Sequence, residues 1–86
     1  MKRIERIKQI LKKNLKPDFM VLEDNSKKHI GHNEFDGKDE THLYLKIASK
    51  SFNNINLINV HKKINSLIES EYKNGLHSLE IKIIKS

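Results

Sequence analysis

Apolar residues recur along this chain with two different periods, and the switches between them mark the elements. Ile4, Ile7, Leu11 and Leu15, with Ile10 beside them, follow helical spacing, and Lys and Arg fill the gaps. This predicts an amphipathic helix over residues 2–15, stopped by Pro17 and Asp18. Phe19-Met20-Val21-Leu22-Glu23 is a short apolar run with strand character. Leu43, Leu45 and Ile47 then alternate with His42, Tyr44 and Lys46, the pattern of a half-buried strand, ended by Ser49-Lys50-Ser51. Helical spacing returns at Leu57, Val60, Ile64, Leu67, Ile68 and Tyr72, entered through the Asn-rich stretch 53–56. Asn74-Gly75 closes that helix, with Gly75 at the position just past its end, where a left-handed backbone is common. Leu79, Ile81 and Ile83 alternate with Glu80 and Lys82 as a third strand, and His77 shares the Leu79 face.

The order is α-β-β-α-β. The first two strands are expected to pair antiparallel. The second and third, joined through a helix, are expected to form a right-handed crossover and to pair in parallel. The result is a two-layer α+β sandwich: a three-stranded mixed sheet with both helices on one face. At 86 residues the chain is expected to be one domain, 1–86, with a modest core. Residues 24–40 have no periodicity and read as a long loop, a feature usually kept for function. No apolar run approaches the roughly 20 residues of a membrane span. Met1 leads directly into the first helix, so no targeting segment is expected, and a cytoplasmic setting is the expectation, or a mitochondrial one in a eukaryote.

Net charge changes the picture less than it first promises. The chain carries +6 at pH 7. Residues 1–16 hold seven basic and one acidic residue, residues 17–40 three and seven, and residues 41–86 seven and three. The surplus therefore equals the charge of the first helix alone, and its simplest reading is a solvated helix face. Only Arg3 and Arg6 among the basic residues are arginine, the usual bidentate reader of bases. The charge is thus a weak nucleic-acid signal.

The chemistry-bearing residues are histidines. There is no Cys, which excludes a disulfide framework, a thiolate zinc site and a thiol nucleophile. No P-loop, metal-hydrolase spacing or nucleophile–base pair is present, so an enzyme is disfavoured. Five His occur in 86 residues. His29 and His32 lie in the loop as Ser26-Lys27-Lys28-His29-Ile30-Gly31-His32. His42 opens the second strand, His61 lies in the second helix and His77 precedes the third strand. Alternation turns His42 away from Leu43, which suggests a surface role. His61 falls on the Leu57–Ile64–Ile68 stripe and reads as a packed, hydrogen-bonded side chain.

Taken together, the loop Ser-x-x-His-x-Gly-His at 26–32, Thr41-His42-Leu43, Phe52, His61 before Lys62-Lys63, and Gly75-Leu76-His77-Ser78-Leu79 resemble the BolA-like family over nearly the whole chain. Asn54, Val60, Lys62 and Ser78 depart from the family pattern, which typically has Gly, Arg, Arg and Ala there. The resemblance implies a fold similar to the class II KH domain. It also implies a partnership with a monothiol glutaredoxin and a [2Fe–2S] cluster bridged between the two proteins. In that picture His77 is one ligand and His29 the second, with His32 as its substitute, and the thiolates come from the glutaredoxin and its glutathione. Neutral imidazole is a good iron ligand, and a Cys-free chain has no thiolate to offer. The alternative reading is a nucleic-acid-binding transcriptional regulator that presents Lys62 and Lys63 of the second helix to DNA. The Gly-x-x-Gly loop by which KH domains clamp RNA is missing. A homodimer is compatible with either reading.

Overall fold

The two apolar periods produce a helical layer over a sheet. The computed structural model describes residues 2–26 and 40–84. Its elements are α1 (Arg3–Leu15), β1 (Phe19–Asp24), β2 (His42–Ala48), a 3-10 turn (Lys50–Phe52), α2 (Leu57–Leu67), α3 (Glu69–Lys73) and β3 (Ser78–Ile83). The sheet order is β1-β2-β3. β1 and β2 are antiparallel, with Leu22 opposite Leu45, and β2 and β3 are parallel, with Leu45 opposite Ile81. This is the mixed three-stranded topology that the element order predicts.

The core lies between the helices and one face of the sheet. Ile7, Leu11 and Leu15 of α1 and Val60 and Ile64 of α2, with Ile68 just beyond it, are essentially without solvent contact. They pack with Leu22, Leu43, Leu45 and Ile47, which the strand alternation turns to the same side. Phe52 is buried beside them, anchoring the connection between β2 and α2. The opposite face of the sheet carries Lys46 and Lys82 in one cross-strand row and Glu23, Tyr44 and Glu80 in the next. Alternation therefore separates an apolar layer from a charged one.

Local chemistry explains the element ends. Lys16 takes a left-handed φ of 45° and its N–H donates to Lys12 O at 3.2 Å, closing α1 one residue before Pro17. The N-terminal end of α1 has no cap from its own flank. Instead the Glu40 carboxylate accepts from the Ile4 N–H at 2.8 Å, so a residue far along the chain serves as the cap. Asn56 caps α2 by accepting from Asn59 N–H at 2.9 Å. Asn54 has a φ of 68°. Asparagine is among the few residues that tolerate this left-handed geometry, which explains how it stands where the family pattern has Gly.

Two features of the second helical segment differ from expectation. The run from Leu57 to Tyr72 is not one helix: Ile68 leaves helical geometry at φ −110° and ψ 21° and separates α2 from α3. Glu71 N–H then donates to Ile68 O at 2.9 Å, one residue tighter than an α-helical bond. Ile68 stays in the core while Glu71 reaches α1. Leu57, read as part of the buried stripe, is 49% exposed, as the first residue of α2.

Candidate functional site

The beginnings of β2 and β3 meet at Thr41. Its carbonyl accepts from the N–H of His77 at 2.8 Å and of Ser78 at 3.2 Å. Its own N–H donates to the Ser26 hydroxyl oxygen at 2.8 Å, and the His42 N–H reaches the same oxygen at 3.2 Å. Ser26 and Thr41 are both buried. A small polar hub thus fixes the backbone from which two histidines project. Their rings meet edge to face, with centroids 5.3 Å apart and an interplanar angle of 83°. The cause is the parallel register, which sets His42 opposite Ser78 and so beside its neighbour His77. His77 is exposed and His42 half-buried. The alternation correctly turned His42 off the core face, but its place is against His77 rather than on a featureless surface.

The other predicted site residues are dispersed. His29 and His32 lie outside the described residues. His61 is half-buried and makes no hydrogen bond with a described residue, so it is not the hydrogen-bonded side chain its position suggested. It sits on the flank of the Val60–Ile64 stripe, in an open cleft of about 450 Å³ where α2 faces β3, lined also by Tyr44, Leu57 and Glu80. His77 does not line that cleft. Lys62 and Lys63 are exposed on α2.

A second polar constellation supports the corner, and the sequence reading missed it. Glu71 is 4% exposed. It accepts from Arg3 Nε at 3.1 Å and from Arg6 Nε and Nη2 at 2.8 and 2.9 Å. Arg3 also donates to Glu40 O and Asn74 O, each at 2.6 Å. The two arginines of α1 are therefore not merely surplus surface charge: Arg6 stays partly exposed, but both are held by a carboxylate more than 60 residues away. The hydrogen bond from Arg6, opposed by burial and reinforced by Arg3, holds the Glu71 carboxyl below the usual glutamate range, and the same bond raises Arg6. Through Arg3 the clamp reaches both routes into the histidine corner: Glu40, which precedes Thr41, and Asn74, which precedes Gly75-Leu76-His77. The only sequence signal was that the sole two arginines stand one helical turn apart.

The acidic loop ends are likewise engaged. Asp24 accepts from Ser26 N–H at 2.9 Å and from Glu40 N–H at 3.1 Å, while Glu40 caps α1. Among the described residues no group of three or more His, Cys, Asp and Glu side chains is placed to hold a metal ion. What the corner offers is an accessible imidazole, His77, with a second imidazole against it.

Comparison with known proteins places this architecture. The family model for BolA-like protein matches residues 11–86. Protein BOLA1, chloroplastic, from Arabidopsis thaliana is 41% identical over 81 residues, covering 92% of this chain and 51% of the relative. The solved structure of BolA1 from Arabidopsis thaliana superposes with a TM-score of 0.87 at 35% identity, covering 99% of this chain and 93% of that one. SufE-like protein 1, chloroplastic/mitochondrial, from the same plant is 39% identical over 80 residues, 88% of this chain but 22% of the relative. The chain thus spans about half of one of these relatives and about a fifth of the other. The DNA-binding transcriptional regulator BolA of Haemophilus influenzae is 29% identical over 75 residues, 87% of this chain and 69% of the relative. With a family model matching most of its length, the chain belongs to the BolA-like family.

Proposed function

We propose that this protein is a non-enzymatic adaptor that pairs with a monothiol glutaredoxin and shares the ligation of a [2Fe–2S] cluster. The observation that carries the reading is His77. Its imidazole is exposed, while its backbone N–H is tied to Thr41 and the strand that follows is paired along β2. A ligand on such a support is held in place without being enclosed, which suits a metal centre that a second protein must reach. The donor set fits an iron–sulfur group on one side only: imidazole is available, and without Cys every thiolate has to come from the partner and its glutathione. His29 is the proposed second ligand, with His32 as its substitute. The shared group supplies iron and sulfide for delivery or sensing; this chain supplies the imidazoles and the docking geometry.

The test is anaerobic mixing with a reconstituted monothiol glutaredoxin, followed by visible circular dichroism and iron analysis of the isolated complex. The expected result is a heterocomplex spectrum distinct from that of the glutaredoxin alone, lost in His77→Ala. An unchanged spectrum in that variant overturns the ligand assignment.

A second reading, a DNA-binding regulator, draws on the exposed Lys62 and Lys63 of α2 and on the Haemophilus relative. Duplex binding measured across a salt series tests it. Affinity that persists at physiological salt and falls in a Lys62→Ala/Lys63→Ala variant favours this reading. Binding that vanishes there leaves only nonspecific phosphate attraction.

A further inference from the structure

We propose that the outer edge of β3 is a self-association surface, on which a second copy of this chain adds its own β3 antiparallel, with Ile81 opposite Ile81 of the second copy. Among the described residues β3 has a strand, β2, on one side only. Ser78 and Ile84 donate their N–H groups toward that side, to Thr41 O at 3.2 Å and Ile47 O at 2.8 Å. Backbone groups alternate in direction along a strand paired in parallel, so Leu79, Ile81 and Ile83 turn their N–H and C=O groups to the outer edge. An uncovered edge of this kind is a template for a further strand.

The side chains select which strand. With the two-fold axis at Ile81, Leu79, Ile81 and Ile83 supply the hydrogen-bonded pairs. Between them Glu80 falls opposite Lys82 of the second copy, and Lys82 opposite Glu80 of the second copy. These are the non-hydrogen-bonded positions, where opposing side chains come closest. Moving the axis by one residue in either direction sets Glu80 or Lys82 against itself. Within the chain neither charge is answered: Lys82 stands opposite Lys46 and Glu80 opposite Tyr44, and among the described residues neither forms an ion pair. A lone Lys on an edge strand discourages pairing, but Glu80 beside it on the same face makes it half of a self-complementary pair.

The surroundings fit the same occupant. The open cleft of about 450 Å³ runs at this edge and is lined from both faces of the sheet, by Tyr44, Glu80 and Lys82 on one and by Ile81, Ile83 and Leu57 on the other. Next to it, Leu57 and Ile58 are exposed at the start of α2. The two-fold passes through the sheet, so both helical layers lie on one side and the second copy approaches these apolar residues with its own α2. Six residues of strand and two helix ends make a small interface, so the dimer is in exchange and forms at high protein concentration.

This inference goes beyond the adaptor reading and does not depend on it. The experiment uses the full chain, without an affinity tag and without glutaredoxin, in sedimentation equilibrium over a series reaching about 1 mM, with amide hydrogen exchange at both ends of the series. The average mass is expected to rise toward that of two chains, and the Leu79, Ile81 and Ile83 amides to exchange more slowly as it does. Glu80→Lys and Lys82→Glu, both at exposed positions, are each expected to weaken self-association roughly tenfold, because each turns two attracting pairs into like-charged ones. The Glu80→Lys/Lys82→Glu double variant is expected to regain the parent's association, and an equimolar mixture of the two single variants to form a heterodimer. If the chain stays monomeric throughout, or if the single variants associate as tightly as the parent, the proposal fails. Slowing of the same amides by added glutaredoxin, in a chain that stays monomeric alone, would give the edge to a different partner and overturn it as well.

Discussion

Two polar constellations stand side by side at the end of the sheet where β2 and β3 begin, and they are built in opposite ways. In the Arg3–Arg6–Glu71 clamp, charge meets charge: a buried carboxylate accepts from two guanidinium groups, and Arg3 also donates to two carbonyls. In the His42–His77 corner no ion pair is formed between the two side chains, and one ring is exposed. The clamp specifies where α1, α3 and the residue before Thr41 sit. The corner uses that placement to expose the His77 ring. A saturated network fixes geometry, whereas an exposed ring adds little to it.

The sharpest way to break this contrast is to remove the carboxylate. Glu71→Ala is expected to destabilise the fold by about 2 kcal/mol, the scale of hydrogen bonds to a charged group and less than that of a sealed ion pair, because Arg6 faces solvent. Urea denaturation measures it. The clamp also carries a pH signature. Its carboxyl lies below the ordinary value of 4.5 in the folded state, so its contribution is complete above that value and is lost as pH falls through the folded-state value. Glu71→Gln is therefore expected to flatten the acid side of the stability profile.

A smaller effect is expected at the joint between the two constellations. Gly75 has a φ of 111°, and an added Cβ would meet Arg3 Nη2 at 3.3 Å. Gly75→Ala is expected to cost about 1 kcal/mol, mostly from the backbone, since the arginine tip can shift. A shift of the His77 ring resonances in the same variant would show that the clamp and the corner are mechanically coupled. The smallest effect belongs to the corner. His77→Ala is expected to change stability by no more than about 0.5 kcal/mol in thermal unfolding, because an exposed ring contributes little to folding. A larger loss would make His77 structural and erase the distinction.

Sequence alone reveals the elements and hides the contacts between them. The periods at Ile7–Leu11–Leu15 and Leu43–Leu45–Ile47 carry the helix and strand assignments directly, since each states which face is buried. Leu57 fits the same helical period yet stands exposed at the start of α2, because periodicity says nothing about how far a helix overhangs the layer beneath it. The break at Ile68 contains neither Gly nor Pro and leaves no local mark. Arg3 and Arg6 look like surplus charge until Glu71 arrives from the far end of the chain. His42 and His77 are 35 residues apart, and only the parallel pairing of β2 with β3 makes them neighbours. The chemistry-bearing residue types are therefore visible in the sequence, but the constellation is a product of topology.

The hydrogen bonds at Ser26 have a consequence for how this architecture tolerates change. Ser26 is joined to Thr41 and His42, and Asp24 to Glu40, so the two strands are stapled immediately on either side of the intervening segment. Whatever length of chain lies between the staples, the hub at its base is closed by its own bonds. Doubling the length of a connection adds only about 0.6 kcal/mol of closure entropy. A change in the length of chain between residues 26 and 40 is thus expected to cost the sheet little, because the closing bonds lie outside it.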